Sequence, residues 1–371
     1  MRRLPELRRV GYLWSLAHWA PLVLIALAAM FDVLTPGQQR YDRFLAAAPA
    51  LAAATWSVRG IAGIGALTMA TEVVLSLDRD ADFVTATGTA LLVIVTVTAA
   101  ACYASHVRQS RERDLAELRA VADVAQSVLL RPLPPALGGV ELNLLYDGAA
   151  AQARIGGDFY EALRTPFGVR LIVGDVQGKG LPAVEVASVL LGTFREAAYE
   201  APDLAALVDR LETGMVRYSE QVPSSDAAER FATAVLVEIP PDGRTAGVLN
   251  CGHPAPLLLR GREVVTVEPS TDALPLNLRA LLNDHHPVDT VPFGPGDRLV
   301  IFTDGVSEAR DRAGSFYPLA DRVRGWTGSG SARLLELLAA DLREYGSGAA
   351  DDVAVLIAGR PGPEALSTAA P

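Results

Sequence analysis

The stretch Leu171-Ile172-Val173-Gly174-Asp175-Val176-Gln177-Gly178-Lys179-Gly180 decides how the rest of the chain is interpreted. It begins as a short apolar run, which is typical of a buried strand. Asp175 follows at once, and a carboxylate at the end of a buried strand costs free energy unless a positive group meets it. The glycines let the backbone turn tightly and approach a ligand closely. Asp175 is therefore either a ligand that points into a turn or the cap of a helix predicted to begin near Leu181.

Three further segments repeat the pattern of an acidic residue at the border of a predicted strand. They are Arg154-Ile155-Gly156-Gly157-Asp158-Phe159-Tyr160, Leu299-Val300-Ile301-Phe302-Thr303-Asp304-Gly305 and Asp351-Asp352-Val353-Ala354-Val355-Leu356-Ile357. One Asp-Gly pair is usually a simple turn, but four acidic borders on separate strands predict one carboxylate cluster. Such a cluster selects hard divalent cations, Mg²⁺ or Mn²⁺. A zinc site is not predicted, because the 2 Cys are far apart and no Cys/His spacing typical of zinc ligands is present.

Taken in order, these motifs resemble the metal-dependent protein phosphatase (PPM) family and are closest to its bacterial SpoIIE/RsbU branch. The matching stretches are Gly156-Gly157-Asp158-Phe159-Tyr160, Gly174-Asp175-Val176-Gln177-Gly178-Lys179-Gly180, Asn250-Cys251-Gly252-His253-Pro254, Thr303-Asp304-Gly305-Val306-Ser307-Glu308-Ala309 and Asp351-Asp352. The resemblance covers roughly Leu137 to Gly359. Glu161 stands where the family often has Asp, and Gln177 stands where it often has Met. Neither position is expected to bind metal.

The resemblance implies a layered α-β-β-α sandwich with two Mn²⁺ or Mg²⁺ ions at one end, between two sheets. Asp175 would bridge the ions. One ion would also take Asp304 and Asp351, and the other would take the backbone carbonyl of Val176. Asp158 would be a further ligand, either directly or through water. The implied reaction is hydrolysis of phosphoserine or phosphothreonine by a metal-activated water, with no phosphoenzyme.

Two further residues are candidate substrate contacts. Arg154 lies four residues before Asp158 and is either a phosphate contact or a surface Arg. His253 is either a catalytic acid or a hydrogen-bonded structural residue. Glu308 and Asp352 stand beside predicted ligands and are expected either to support them from behind or to face solvent. No Cys-x5-Arg loop is present, which argues against a cysteine phosphatase, and no Walker A motif is present, which argues against an adenine-nucleotide site.

Composition indicates a membrane region at the N-terminus. Half of the 371 residues are apolar, and the mean hydropathy is positive, which is high for a soluble protein. We predict about four spans within residues 1–105; they lie near 11–31, 44–58, 60–77 and 83–105. Arginines flank the first and last spans, so the positive-inside rule places both ends, and the catalytic part, in the cytoplasm of a multi-pass cell-membrane protein. A cleaved signal peptide is the alternative for the first span.

Residues 106–136 form a predicted helical linker that ends at Arg131-Pro132-Leu133-Pro134-Pro135. Small and apolar residues alternate spacings of three and four along it. They are Leu115, Leu118, Ala122, Ala125 and Leu129. This seam predicts either a parallel coiled coil, with a homodimer through 108–130, or one amphipathic helix packed on its own domain.

The remaining chain divides into a catalytic domain and a tail. Residues 137–360 are predicted to form an α+β domain, because strand pairs are mixed with a helix pair in place of a βαβ repeat. Residues 361–371 are Pro/Ala-rich and are predicted to be disordered.

The resemblance also implies partners and regulation. The substrate would be a phosphorylated anti-anti-sigma (STAS) protein in a sigma-factor pathway. A membrane signal would pass along the 106–130 helix to the two helices predicted after Gly180, which in this branch form a switch that completes the metal site. The main alternative is a catalytically silent, membrane-tethered binding module of the same fold. A two-metal nuclease is disfavoured, because the formal charge of −10 argues against nucleic-acid binding.

Overall fold

The structure is a computed structural model that describes residues 6–35, 41–77, 83–147, 157–222, 229–278, 287–346 and 352–362. The chain divides into two compact units, Met1–Glu117 and Leu118–Pro371. Two predicted site residues, Arg154 and Asp351, lie outside the described residues, and so does the predicted tail from residue 363 onward.

The first unit consists of apolar helices. They are α1 (Glu6–Leu34), a 3-10 turn (Asp42–Ala46), α2 (Ala47–Ala52), α3 (Val58–Ser76) and α4, which begins in this unit and spans Phe83–Leu129. Among the described residues, two helical stretches are long and apolar enough to cross a membrane, Val58–Ser76 and Thr87–Glu117. The predicted four spans are not confirmed. Residues 44–58 contain the 3-10 turn and a helix of 6 residues, which is about 9 Å long against a hydrocarbon core of about 30 Å.

Polar groups are buried among these helices. Glu72 and Thr68 on α3 are both 0% exposed. The Thr68 hydroxyl donates to the carbonyl of Ile64 at 2.7 Å, which satisfies it within its own helix. The carbonyl of Trp56 accepts a hydrogen bond from the Ser105 hydroxyl at 3.2 Å. The first unit thus keeps a buried polar interior despite its apolar composition.

The second unit is built on two sheets in which all neighbouring strands are antiparallel. In spatial order, the first sheet contains β1 (Ala136–Leu137), β2 (Val140–Asp147), β11 (Val353–Gly359), β10 (Arg298–Phe302), β7 (Leu257–Arg260) and β8 (Glu263–Thr266). The second sheet contains β3 (Asp158–Thr165), β4 (Gly168–Val176), β5 (Ala232–Ile239), β6 (Thr245–Cys251) and β9 (Asp289–Pro292).

Helices cover the outer faces of both sheets. α5 (Leu181–Ala197) and α6 (Leu204–Gln221) pack on the second sheet, whereas α8 (Leu319–Arg324) and α9 (Ser331–Tyr345) pack on the first. Alternation along β10 shows the layering: Leu299 and Ile301 join the core between the sheets, while Val300 and Phe302 join the core beneath α8 and α9. The layered α-β-β-α arrangement predicted for this domain is therefore present.

Candidate metal centre

Three acids from both sheets meet at one end of the sandwich. Asp158 begins β3 and pairs directly with Asp175 near the end of β4. Asp304 follows β10 and is the first residue of the short helix α7 (Asp304–Ser307). One carboxylate oxygen from each of the three lies within 4.8 Å of the other two. Strands far apart in sequence therefore bring together three of the acids that the sequence predicts as one cluster.

Glycine allows the backbone to come this close at the site. A Cβ atom on Gly157 would lie 2.3 Å from the carbonyl oxygen of Val176, and the Val176 N–H donates to the Gly157 carbonyl at 3.1 Å. Gly178 has a φ of 89°, a left-handed conformation that side chains with a Cβ rarely adopt. These two positions explain why the acids lie in a glycine-rich sequence.

Thr303 fixes the Asp158 carboxylate through a buried hydrogen bond. Its hydroxyl donates to Asp158 Oδ2 at 2.8 Å and accepts from the Ala354 N–H at 3.0 Å. Thr303 is fully buried, so water does not compete for either bond. The hydroxyl uses its donor and an acceptor position at once, which fixes the orientation of the Asp158 carboxylate.

The electrostatics of the cluster favour a cation. Burial raises the pKa of Asp158 well above its usual range, and the Asp175 carboxylate is the second largest cause. The hydrogen bond from Thr303 acts in the opposite direction. Asp352 and Asp304 raise this pKa further. Carboxylates that disfavour one another's charge are stabilised by a bound cation. The donor set, which consists of oxygen ligands only, fits Mg²⁺ or Mn²⁺.

The acids face a cleft of about 310 Å³. Its described lining residues are Gly157, Asp158, Asp175, Gln177, Gly178, Lys179, Phe231, Thr233, Asp304 and Asp352. Asp352 lines the cleft and is only 4% exposed, which favours the supporting position over the solvent-facing one. Glu308, for which the same two alternatives are predicted, is exposed. Val176 is fully buried, and its carbonyl as a metal ligand stays a prediction.

His253 is not among the described residues that line the cleft. It is 6% exposed, and burial lowers its pKa to about 3. A ring that stays neutral at physiological pH is a poor source of a proton, which favours the structural alternative over the catalytic acid.

Sequence reasoning missed Thr233 and Thr303. Each is a hydroxyl residue at the end of an apolar strand, and that is the signal by which they could have been found.

The family model described as Stage II sporulation protein E (SpoIIE) matches residues 165–361, more than half of the chain. The chain belongs to the SpoIIE family. The SpoIIE match includes Asp175 and Asp304 and begins after Asp158. The order of motifs in the sequence is thus accompanied by a direct match to this family.

Solved structures are similar to this SpoIIE-family chain. The SiaA-PP2C domain of Pseudomonas aeruginosa matches with a TM-score of 0.55 and 20% identity, over 68% of this chain and 98% of that one, which establishes a PP2C-type fold. The RsbU and RsbW domains of a Mycobacterium tuberculosis protein match with 28% identity and a TM-score of 0.49. That match covers 61% of each chain, so this chain spans less than two thirds of the mycobacterial one. The catalytic domain of the serine/threonine phosphatase PstP, solved with 2 manganese ions, matches at 17% identity, a TM-score of 0.43, and 59% and 97% coverage.

Proposed function

We propose that this SpoIIE-family chain is a protein serine/threonine phosphatase that depends on two Mn²⁺ or Mg²⁺ ions. The observation that carries the proposal is the cluster of Asp158, Asp175 and Asp304, with one oxygen of each within 4.8 Å of the others. When bound, such ions lower the pKa of a water between them and neutralise charge on the phosphate. Because the described acids of the cluster are intact, the proposal is preferred to a catalytically silent module.

The acids have distinct roles in this proposal. Asp175 is central, since its backbone pairs with Asp158 on one side and with Thr233 on the other. Its carboxylate would help to hold both ions, as the resemblance implies. Asp304 approaches from the first sheet, and Asp351 and the Val176 carbonyl complete the proposed ligand set.

Two other residues support the chemistry. Thr303 holds the Asp158 carboxylate at a fixed orientation. Lys179 is the cationic residue among the described lining residues, and we assign it to attracting the substrate phosphate by its charge. The acids would otherwise repel an anionic substrate.

Phosphate release tests the activity. The full chain in detergent is given a phosphoserine peptide or a small aryl phosphate, with Mn²⁺, with Mg²⁺ or with a chelator. We expect turnover only with metal, loss of turnover in Asp175→Asn and Asp304→Asn, and retention in Glu308→Gln. Glu308 is the matched control, because it is an exposed acid four residues beyond Asp304. Equal turnover in Asp304→Asn and Glu308→Gln would refute the proposal, and metal binding without turnover would indicate the binding module.

The proposed substrate is a phosphorylated anti-anti-sigma (STAS) protein, as the resemblance to the SpoIIE/RsbU branch implies. If the substrate is a folded protein, docking contacts outside the cleft would contribute to its recognition. We expect kcat/KM for such a protein to exceed that for a phosphoserine peptide of the same local sequence by at least roughly tenfold, which corresponds to about 1.4 kcal/mol. Equal values for protein and peptide would remove the STAS assignment while leaving the phosphatase in place.

The first unit is proposed to anchor the chain in the cell membrane, with the catalytic domain in the cytoplasm. Support comes from the two helical stretches, Val58–Ser76 and Thr87–Glu117, that have the length and composition of membrane spans. Fractionation checks this: the full chain should sediment with membranes and resist extraction by high salt. Release by high salt alone would contradict the anchor.

The same proposal assigns signal transmission to α4. At its end, Arg195 of α5 donates to the Leu129 carbonyl at 2.8 Å and forms an ion pair with Glu161 of β3 at 2.6 Å. Ala125 and Leu129 also pack against Val184 of α5. This packing favours the amphipathic-helix interpretation for the end of the seam, while a homodimer through 108–130 stays a prediction.

Arg195 therefore gives a direct test of signal transmission. Arg195→Gln should change the Mn²⁺ concentration that gives half-maximal activity, because it releases the end of α4 from α5. Arg210→Gln is the matched control, since Arg210 lies on the neighbouring helix in an exposed ion pair with Glu200. Deletion of residues 1–105 with full, unregulated activity would count against control by the first unit.

A further inference from the structure

His253 is fixed behind the acid cluster by its own turn. Asn250 Oδ1 accepts from the His253 N–H at 2.7 Å, and Asn250 Nδ2 donates to the His253 carbonyl at 2.8 Å. One buried amide side chain thus satisfies both backbone groups of the same residue. This arrangement specifies where the imidazole lies, and it explains the Asn-x-x-His spacing in the motif.

The imidazole reaches the cleft wall through Thr233. His253 Nδ1 lies 2.9 Å from Thr233 Oγ1. Thr233 lies on β5, is paired with Asp175 across the sheet, and lines the cleft. The contact therefore joins a buried ring to a hydroxyl directly beside the central acid of the proposed metal site.

The surroundings of the ring decide which atom of this contact donates. Nδ1 is occupied by Thr233, whereas Nε2 has no hydrogen bond of normal geometry to any described residue. The backbone of Phe302 favours a proton on the ring; because Nδ1 already faces the Thr233 hydroxyl, we assign this influence to Nε2. A carbonyl oxygen is stabilised by an N–H and repelled by a nitrogen lone pair. Since burial keeps the ring neutral, its single hydrogen belongs on Nε2, and Nδ1 is an acceptor.

We propose that His253 is a positioning residue that accepts the hydroxyl hydrogen of Thr233 and so leaves the hydroxyl lone pairs facing the cleft. Thr233 then presents a fixed acceptor beside Asp175 to a water or another donor in the cleft. The kinetic consequence rests on the proposed phosphatase function, whereas the tautomer and the direction of the hydrogen bond do not. The proposal also gives a reason for a Thr on a strand that is otherwise almost entirely apolar.

The tautomer is tested without any activity. The full chain, labelled with ¹⁵N-histidine, contains 5 His, and the His253 signals are those lost in His253→Asn. We expect a neutral Nε2–H tautomer from pH 5.5 to 8, with an Nδ1 shift typical of a hydrogen-bond acceptor. In Thr233→Val that shift should move toward the value of an unbonded nitrogen. An Nδ1–H tautomer, a ring that titrates in this range, or an Nδ1 shift unaffected by Thr233→Val would overturn the proposal.

The kinetic consequence is tested by a double-mutant cycle of Thr233→Val and His253→Leu. Each single change should lower kcat roughly tenfold, the scale of one lost hydrogen bond, and the double variant should lose no more than either single one. Thr233→Ser keeps the hydroxyl and His253→Asn keeps a side-chain acceptor, so both should stay within about threefold of the original activity. Losses that multiply in the double variant would overturn the positioning role. If the original chain releases no phosphate at all, the proposed function fails, and the tautomer measurement still decides this inference.

Discussion

β4 carries charged residues at both of its ends, and the two ends are built in opposite ways. Near its start, Arg170 is fully buried; it donates to Glu238 at 2.7 Å and to the carbonyls of Ala198 and Ala201 at 2.9 and 2.7 Å. Near its end, Asp175 lies among other acids. The first end is balanced in charge and ties the turn between α5 and α6 to the sheet. The second end collects several acids and Lys179 in one cleft, which is the arrangement we expect at a metal centre. In this comparison the Arg170 end serves stability, while the acid-rich end marks the site of function.

The largest effect is expected on activity, at the acid-rich end of β4. Asp175→Asn removes the proposed bridging ligand and should lower Mn²⁺-dependent phosphate release by roughly a thousandfold, because metal-based stabilisation supplies several kcal/mol. The free energy of unfolding without metal should not fall, since a repelled charge is removed. Steady-state kinetics and urea unfolding of the same preparation measure both quantities. A loss of activity accompanied by a large fall in the free energy of unfolding would show that Asp175 has a structural role instead.

The Arg170 end of β4 should show the opposite pattern, with its main effect on the free energy of unfolding. Arg170→Met leaves the Glu238 carboxylate and two carbonyls without their partner, and should destabilise the second unit by about 3 kcal/mol. Arg333→Met is the matched control, because Arg333 forms an exposed ion pair with Glu336; its cost should stay below about 0.5 kcal/mol. Urea unfolding measures both. An Arg170→Met cost no greater than that of the control would contradict a stabilising role for this end.

A smaller effect sharpens the comparison within the cluster. Asp158→Asn removes a buried carboxylate whose charge is disfavoured by burial and by Asp175. Without metal, the variant should be more stable than the original chain by on the order of 1 kcal/mol at neutral pH. With saturating Mn²⁺, it should gain less stability than the original chain. Thermal unfolding with and without Mn²⁺ checks both signs, and a destabilised metal-free variant would contradict the account.

An effect of similar size concerns the pH dependence of stability at His253. Burial lowers its pKa to about 3, below the value of about 6.5 in an unfolded chain. The unfolded state therefore takes up a proton below pH 6.5, so the stability associated with the neutral ring is complete above pH 6.5 and decreases as the pH falls toward 3. The decrease reaches about 1.4 kcal/mol by pH 5.5. The stability advantage of the original chain over His253→Asn should shrink by that amount between pH 7.5 and 5.5, and a constant difference in urea unfolding would argue against the buried neutral ring.

The sequence predicted the acid cluster because its members follow apolar strands or precede them, and such borders are visible without the structure. The apolar runs that precede Asp304 and follow Asp352 form β10 and β11. The full extent of β3 was not predicted, because Glu161 and Arg164 interrupt its apolar pattern. Glu161 is buried only because Arg195, far along the chain, pairs with it, and no local pattern indicates such a partner.

The membrane spans show a second limit of sequence reasoning. Hydropathy alone predicted a membrane span at residues 44–58, yet helix α2 ends at Ala52. A new helix begins only after Ser57, whose hydroxyl accepts from the Gly60 N–H. Caps and turns thus divide an apolar stretch that composition treats as continuous. The position of Thr303 behind Asp158 likewise depends on how two sheets meet, which strand patterns do not reveal.

Calorimetric titration of Mn²⁺ into the full chain tests the central claim most directly, because it measures whether the acid cluster holds metal. The original chain should bind two ions, as the proposed ligand set requires. Asp175→Asn should abolish this binding, whereas Glu308→Gln and Arg170→Met, measured where they are folded, should retain it. Unchanged Mn²⁺ binding in Asp175→Asn would contradict the claim that this end of β4 is the metal centre.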